Sequence, residues 1–307
     1  MPRLPKPSGF RRLVFIVAGC VGSLVANISC LAYTAAGDRI FAPTGILPQI
    51  APTDQIYSWA WTLPLSGEAR GARSRMTNIG AFFDKTVTER LSLHFQGNWL
   101  RIDRIGPGSR YGSGNFESGV KYLTVNDHDR EFVLTLGVNR EWGATGAVGV
   151  GASRKGATEP RIYFGKGLGD LDIGYFRPLA ATGFLGYLAA DARPRPDLVR
   201  AGVAVQYSIP YLQSKVQSFD IPPLVRGLTP MTEILFTTPT GRSYGARTTA
   251  LIAPGLSYAG EGWEFVIEAL VPATRATGEG AGVRAQLHLV LDYLFPETIG
   301  RPLFALR

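Results

Sequence analysis

Alternation of apolar and polar residues with a period of two is the feature that most limits what this chain can fold into. Neighbouring side chains of a β-strand point to opposite faces, so each such stretch predicts a strand with one apolar and one polar face. The longest stretch has Val283, Ala285, Leu287, Leu289, Leu291, Tyr293 and Phe295 on one face and Arg284, Gln286, His288 and Asp292 on the other. The same pattern recurs at residues 57–65, 91–99, 131–139, 199–209 and 263–271.

These strands predict an all-β fold, an antiparallel up-and-down transmembrane β-barrel that follows an N-terminal signal segment. With weaker candidates included we count 12–14 strands and expect about 12. Strands of roughly 9–11 residues suit a tilted crossing of a membrane. Tight turns, as at residues 88–90, alternate with longer connections such as residues 103–114, which is typical of a barrel with short periplasmic turns and longer outer loops.

A soluble β-sandwich is the alternative, because its strands alternate polar and apolar residues as well. Three features favour the barrel: the strand length, the export signal, and large aromatic residues such as Trp99 and Tyr207 near predicted strand ends. The two folds differ in closure. In a barrel the strand that begins near Ala285 pairs with the first strand, whereas in a sandwich that edge stays open.

The N-terminus has the pattern of an export signal. Four basic residues, Arg3, Lys6, Arg11 and Arg12, precede an apolar run from Leu13 to Ala36 that ends in small residues. We expect cleavage near Ala36, and hence a signal peptide at 1–36, a Pro-rich periplasmic lead-in at 37–54 and a barrel at 55–307. Two alternatives are an uncleaved membrane anchor and a lipoprotein modified at Cys20, where Val17-Ala18-Gly19-Cys20 has lipobox character.

Charge and cysteine content exclude some classes of function. Both cysteines, Cys20 and Cys30, lie in the signal segment, so a chain cleaved near Ala36 contains no thiol. Removal of the four basic residues lowers the formal net charge from +8 to +4. The remaining charges are scattered and form no basic stripe, so we expect no nucleic-acid partner.

Several segments resemble a known group of outer-membrane proteins. VTERLSLHFQGN (87–98) and GNFESGVKYLTV (114–125), and more specifically FGKGLGDLDIGYFRPLAATGFLGY (164–187), VQYSIPYLQS (205–214) and AQLHLVLDYLFPETIGRPLF (285–304), are similar to the phenol-degradation meta-pathway (MetA-type) family and its uncharacterised proteobacterial relatives. The resemblance spans roughly residues 78–304. It implies an outer-membrane barrel in a Gram-negative cell and no shared catalytic residues. The chain departs from many barrels because Phe304 is followed by Ala305, Leu306 and Arg307.

The sequence contains no pattern that predicts catalysis, a cofactor or a metal site. His94 and His288 share the polar face of their strands, so we interpret them as lumen residues rather than as a hydrolase base. Glu264 and Glu268 face the same way but lie roughly 13 Å apart along a strand, too far for a glycosidase pair. Glu233 approaches either of them only if the strand register allows it. Residues 210–223 interrupt the strands and predict either a packed loop or a short helix that covers one end.

We predict a passive outer-membrane channel or uptake protein for small solutes, hydrophobic or aromatic ones included, with lipid and solute as its partners. The apolar face of each strand is expected to meet lipid, and the polar face to line a lumen. The predicted lining is Glu117, Lys121, Glu131, Arg200, Gln206, Glu233, Glu264, Glu268, Arg284, Gln286, His288 and Asp292. Two alternatives remain, a non-transporting structural or interaction barrel and a barrel-embedded lipid hydrolase. The sequence leaves the oligomeric state open.

Overall fold

The computed structural model describes residues 34–65, 74–104, 108–241 and 244–304. The predicted signal peptide lies almost entirely outside these residues. The strands are β1 (Ala35–Ala36), β2 (Arg39–Ile40), β3 (Gln55–Leu65), β4 (Ser74–Thr88), β5 (Leu91–Arg104), β6 (Arg110–Ser113), β7 (Glu117–Asp127), β8 (Phe132–Glu141), β9 (Ala157–Gly167), β10 (Leu179–Ala190), β11 (Asp197–Tyr207), β12 (Leu228–Thr240), β13 (Thr249–Ala259), β14 (Trp263–Pro272) and β15 (Gly282–Val290). The α-helices are short: α1 (Ile209–Tyr211), α2 (Pro223–Arg226) and α3 (Leu291–Leu294).

Twelve of these strands form a closed antiparallel barrel, which confirms the predicted fold class and strand number. Each strand from β3 to β15, apart from β6, pairs with its neighbours in the chain, and β15 pairs with β3 to close the sheet, with Gln286 opposite Trp59. The short β6 pairs only with the distal part of β5. Because the last strand meets the first, the open edge that a sandwich requires does not exist.

The barrel has two different ends. Both chain ends of the barrel and the connections at residues 89–90, 128–131, 168–178, 208–227 and 260–262 lie at one end, which we call the terminal end. Residues 142–156, 191–196 and 273–281 connect strands at the opposite end. The interrupted stretch at residues 210–223 lies at the terminal end, where it forms helical turns around Tyr211.

The outer surface of the barrel is apolar. Ile79, Trp99, Leu185 and Val205 are 51% to 57% exposed, and they alternate with buried or half-buried residues that face inward. A soluble protein rarely exposes so large an apolar surface, whereas lipid favours it. Within the described part of the chain, no helix is both long and apolar enough to cross a membrane.

Residues 34–54, which include the periplasmic lead-in predicted at 37–54, form a loop into the barrel. The segment enters at the terminal end and reaches about half the height of the barrel at residues 45–48, where Leu47 lies against Gly202 of β11. It then returns to the start of β3. Phe41, Leu47 and Ile50 are at most 4% exposed and pack with Tyr163 and Phe184 of the wall. We call this segment the plug; its apolar side chains explain its position, because the barrel interior removes them from water.

Two predictions about individual strands are wrong, one about the inward face of β3 and one about the end of the last strand. In β3 the apolar face, with Tyr57, Trp59 and Trp61, points into the barrel, because Tyr57 pairs directly with inward-facing His288 and residues opposite each other share a face. The last strand ends at Val290 rather than continuing to Phe295. The chain turns there into α3, so Asp292 belongs to a helix and not to the barrel wall.

Candidate functional site

The plug is held by polar side chains of the barrel wall. The carboxylate of Glu233 accepts hydrogen bonds from three successive backbone amides, those of Gly45 (2.6 Å), Ile46 (3.0 Å) and Leu47 (2.8 Å). Gln206 bonds both backbone groups of Ala42, at 3.1 and 2.9 Å. These hydrogen bonds give the buried polar side chains of the wall partners that water would provide in an empty lumen. They also give partners to the backbone amides and carbonyls of the plug, which has little regular secondary structure of its own.

Glycines make room for the plug. A Cβ atom on Gly202 would lie 2.4 Å from Cδ2 of Leu47, and one on Gly165 would lie 2.5 Å from Cδ1 of Ile50. In the plug itself, Gly45 lies against Glu268 of the wall. A Cβ atom on Gly45 would lie 2.0 Å from Oε2 of the Glu268 carboxylate. The carboxyl groups of Glu268 and Glu233 also interact with each other. The sequence left open whether Glu233 of β12 approaches Glu264 or Glu268, and it approaches Glu268.

A second polar cluster closes the terminal end. Arg39 of the plug is fully buried; its Nε donates to Glu131 at 3.0 Å, and its guanidinium lies 3.8 Å from the ring centre of Tyr211. Glu131 also accepts hydrogen bonds from the hydroxyl of Tyr211 (2.8 Å) and the amide of Gly169 (2.9 Å). Burial and the bond to Glu131 raise the pKa of Tyr211. This cluster therefore joins the plug to the connections that precede β8, β10 and β12.

A cavity of about 230 Å³ remains above the plug, and we call it the vestibule. Residues 45–48 of the plug form its floor, and its walls come mainly from the inner faces of β3, β4, β5, β7, β8, β9, β11 and β15. At roughly 30 Å³ of liquid volume per water molecule, it has room for about seven waters. The lining runs from Tyr57 and His94, near the terminal ends of β3 and β5, to Asn98 and Arg200 farther from that end, so the vestibule lies beside and above the tip of the plug.

One wall of the vestibule is aromatic. Four rings from neighbouring strands stack in a row: His288 on Tyr57 (4.5 Å between ring centres), Tyr57 on Phe82 (4.7 Å) and Phe82 on His94 (5.3 Å). Trp59 adjoins the row, and its indole N–H donates to Asn78. Sequence reasoning missed this wall because alternation alone does not tell which face of β3 points inward.

The charged groups that line the vestibule are mainly basic. Lys121 is paired with buried Asp84 at 2.7 Å. Arg161 and Arg200 share a single carboxylate, that of Glu159, at 2.6 and 3.0 Å. Among the described residues that line the cavity, Lys121, Arg161, Arg200 and Arg284 carry positive charge, and Glu117 is the one carboxylate. Asp84, Arg161 and Glu159 were absent from the predicted lining, although each has the inward parity of its strand.

The structure sorts the predicted lining residues into three groups. The vestibule residues are Glu117, Lys121, Arg200 and Arg284. The residues that contact the plug are Glu131, Gln206, Glu233, Glu268 and Gln286, the last through the carbonyl of Thr44 at 2.8 Å. His288 and Glu264 are buried on inner faces, and Asp292 lies beyond the wall in α3. A role in solute passage for any of them stays a prediction.

Neither interior histidine forms the pair that a hydrolase needs. Among the described residues, the ring of His94 bonds Asn139 (2.6 Å), and that of His288 bonds Gln286 (2.5 Å) and Gln55 (3.2 Å), so no serine hydroxyl is paired with either ring. The described portion also contains no cluster of three or more His, Cys, Asp or Glu residues suited to a metal ion.

In fold, the chain is similar to the COG4313 outer membrane channel from Pseudomonas putida F1, with a TM-score of 0.53, 11% identity, and coverage of 80% of this chain and 97% of that one. It also matches the KdgM porin (TM-score 0.47, 10% identity, 76% of this chain and 98% of that one). LpxR from Salmonella typhimurium matches with a TM-score of 0.41, 10% identity, and coverage of 76% and 99%. No protein-family model and no curated protein sequence matches the chain.

At 11% identity, the likeness to the COG4313 channel shows a common barrel fold. The apolar outer surface suits contact with lipid, and the closed sheet leaves no unpaired strand edge there. The closed sheet of twelve strands with its apolar outer surface makes this chain an outer-membrane β-barrel protein.

Proposed function

We propose that the protein is a passive outer-membrane channel for small solutes, with the plug as its constriction. The observation that carries this proposal is the vestibule, a cavity inside a closed barrel, lined by polar and aromatic side chains and floored by a segment whose tip is bound by hydrogen bonds. A barrel with a purely structural role has no need of such a cavity, since side chains alone can fill a narrow barrel.

The route runs from the vestibule past residues 45–48 to the terminal end. By the usual arrangement of such barrels, we assign the terminal end to the periplasm, because both barrel termini lie there. The neighbours whose names describe them as a channel and a porin agree with this function. We also propose membership of the MetA-type family or a relative on the segments quoted above, and a mature chain that begins near residue 37, which mass spectrometry of the exported protein can test.

Single-channel recording in planar bilayers tests the function. We expect a small conductance for the wild-type protein and a larger one for the double variant Glu233→Ala/Gln206→Ala, because the hydrogen bonds that hold Ala42 and residues 45–47 of the plug are then lost. The matched control is Glu279→Ala, which removes an exposed loop carboxylate far from the plug and leaves the conductance unchanged. If neither the wild type nor the double variant carries current as a folded barrel, the protein is not a channel, and the non-transporting barrel takes its place.

The hydrolase alternative has weaker support, because neither interior histidine contacts a serine. We propose that the protein is not an enzyme. Phospholipid hydrolysis by the folded barrel, abolished in His94→Ala or His288→Ala, would contradict this.

A further inference from the structure

The vestibule has two chemically different walls that face each other across the barrel. Tyr57 and Trp59 lie on β3, whereas Arg161 lies on β9 and Arg200 on β11. Each of these two strands is five strands from β3, in opposite directions around the ring of twelve. The aromatic wall and the arginine wall are therefore on opposite sides of one cavity. The Tyr57 ring is stacked between His288 and Phe82, so the aromatic wall presents ring edges, and the edge of one ring attracts the face of another. Guanidinium groups bind carboxylates through paired hydrogen bonds.

The arginine wall has unused capacity for an anion. Arg161 and Arg200 share the carboxylate of Glu159, and Arg161 also donates to the amide oxygen of Asn139 when that amide is oriented to bond His94. Arg200 keeps 30% of its side chain exposed, and thus accessible from the cavity. Glu117 lies near both arginines, so the two carboxylates balance the two guanidinium charges, and this wall offers an anion the remaining N–H donors of the arginines.

Arg284 is a third donor, at the edge of the aromatic wall. Its guanidinium lies 5.4 Å from the ring centre of Trp59 and donates to Gln286 at 2.5 Å. The Nε–H of Arg284 is buried and has no hydrogen-bond partner among the described residues. An unpaired buried donor is costly, and a bound acceptor in the vestibule would remove that cost.

Resting on the channel function proposed above, we infer that the vestibule binds a small anion that carries a flat ring, with the ring against Trp59 and Tyr57 and the carboxylate directed to the arginines. The cavity of about 230 Å³ admits a single ring with its acid group, whereas drug-sized ligands occupy pockets of roughly 300–1,000 Å³. Solutes of this class would pause in the vestibule before they reach the plug.

Calorimetric titration of the folded full-length protein in detergent tests this inference with three probes. Benzoate carries both features, benzyl alcohol has the ring without the charge, and acetate has the charge without the ring. We expect benzoate to bind at least about tenfold more tightly than either of the others, because a charge-assisted hydrogen bond is enough for that ratio over benzyl alcohol, and burial of the ring for that ratio over acetate. Quenching of tryptophan fluorescence by benzoate supplies a second readout of contact with the aromatic wall.

Variants locate the site. Arg200→Gln and Arg284→Gln should each weaken benzoate binding at least about fivefold and leave benzyl alcohol unchanged. The matched control is Arg140→Gln, which removes an arginine that lies near the opposite end of the barrel, pairs with Asp191 and does not line the vestibule. Each variant is first checked for its folded form by the heat-dependent shift of its migration on a denaturing gel.

Equal affinities for benzoate and benzyl alcohol, or equal losses in Arg200→Gln and Arg140→Gln, would overturn the inference. Channel function is measured separately as current. Conductance without benzoate binding therefore removes only the ligand class, and binding without conductance removes only the channel.

Discussion

Replacement of Glu233 by alanine should release the apex of the plug while the barrel remains closed. Glu233 is fully buried and accepts hydrogen bonds from the amides of Gly45, Ile46 and Leu47. Hydrogen bonds to a charged group contribute about 1.5 kcal/mol each at the low end of the usual range. Loss of all three would cost about 4.5 kcal/mol, and about 1.5 kcal/mol if water replaced two of them.

Hydrogen–deuterium exchange with mass spectrometry reads this loss directly. Every 1.4 kcal/mol changes an equilibrium tenfold, so exchange of a peptide covering residues 42–48 should accelerate between about tenfold and a thousandfold. Peptides from β9 and β10 should keep their protection. Glu233→Gln should lie between the wild type and Glu233→Ala, because an amide keeps one acceptor oxygen but turns a donor toward the plug. If Glu233→Ala exchanges within a factor of two of the wild type in this peptide, the carboxylate does not hold the plug.

Three further variants test the interior and the C-terminal helix. Gly202→Ala should lower the free energy of unfolding by about 1–3 kcal/mol, because the new methyl overlaps Leu47; Gly97→Ala, whose Cβ would meet open space, should have no effect, and Leu47→Ala should restore part of the loss. Lys121→Met should cost about 3–5 kcal/mol in urea unfolding because it leaves buried Asp84 unpaired; a loss below about 1 kcal/mol, as expected for an exposed pair, would show that the pair does not hold the wall. Burial raises the pKa of Asp292 to about 7; the folded protein then keeps a proton that the unfolded chain has released above about pH 4. Stability should therefore fall as pH rises from about 4 to 7 and level off above that, and Asp292→Asn should lose this dependence.

The sequence was enough for the architecture because alternation is a local property. Glu264, Glu268, Gln286 and His288 were predicted to share an inner face, and all four are at most 2% exposed. The same rule failed for β3, where both faces hold apolar residues. There Tyr57 and Trp59 point inward because of their register with β15, and register depends on residues about 230 positions later in the chain.

The end of the last strand shows the same limit. Apolar and polar residues keep alternating through Phe295, but hydrogen bonding to β3 stops at Val290, because its partner Gln55 is the first residue of that strand. The amide of Leu291 still donates to the carbonyl of Asp54, and beyond it the chain turns into α3, which places Asp292 beyond the barrel wall.

By itself, the sequence determined a β-barrel of about twelve strands, its apolar outer surface and the polar groups of its interior, since period-two patterning and turn residues act over a few neighbouring positions. Only the tertiary structure decided that residues 34–54 form a loop into the lumen from the terminal end. A Pro-rich segment without periodicity carries no local sign of its surroundings. Its place is set by partners such as Glu233 and Gly202, which come close to it only once the barrel has closed.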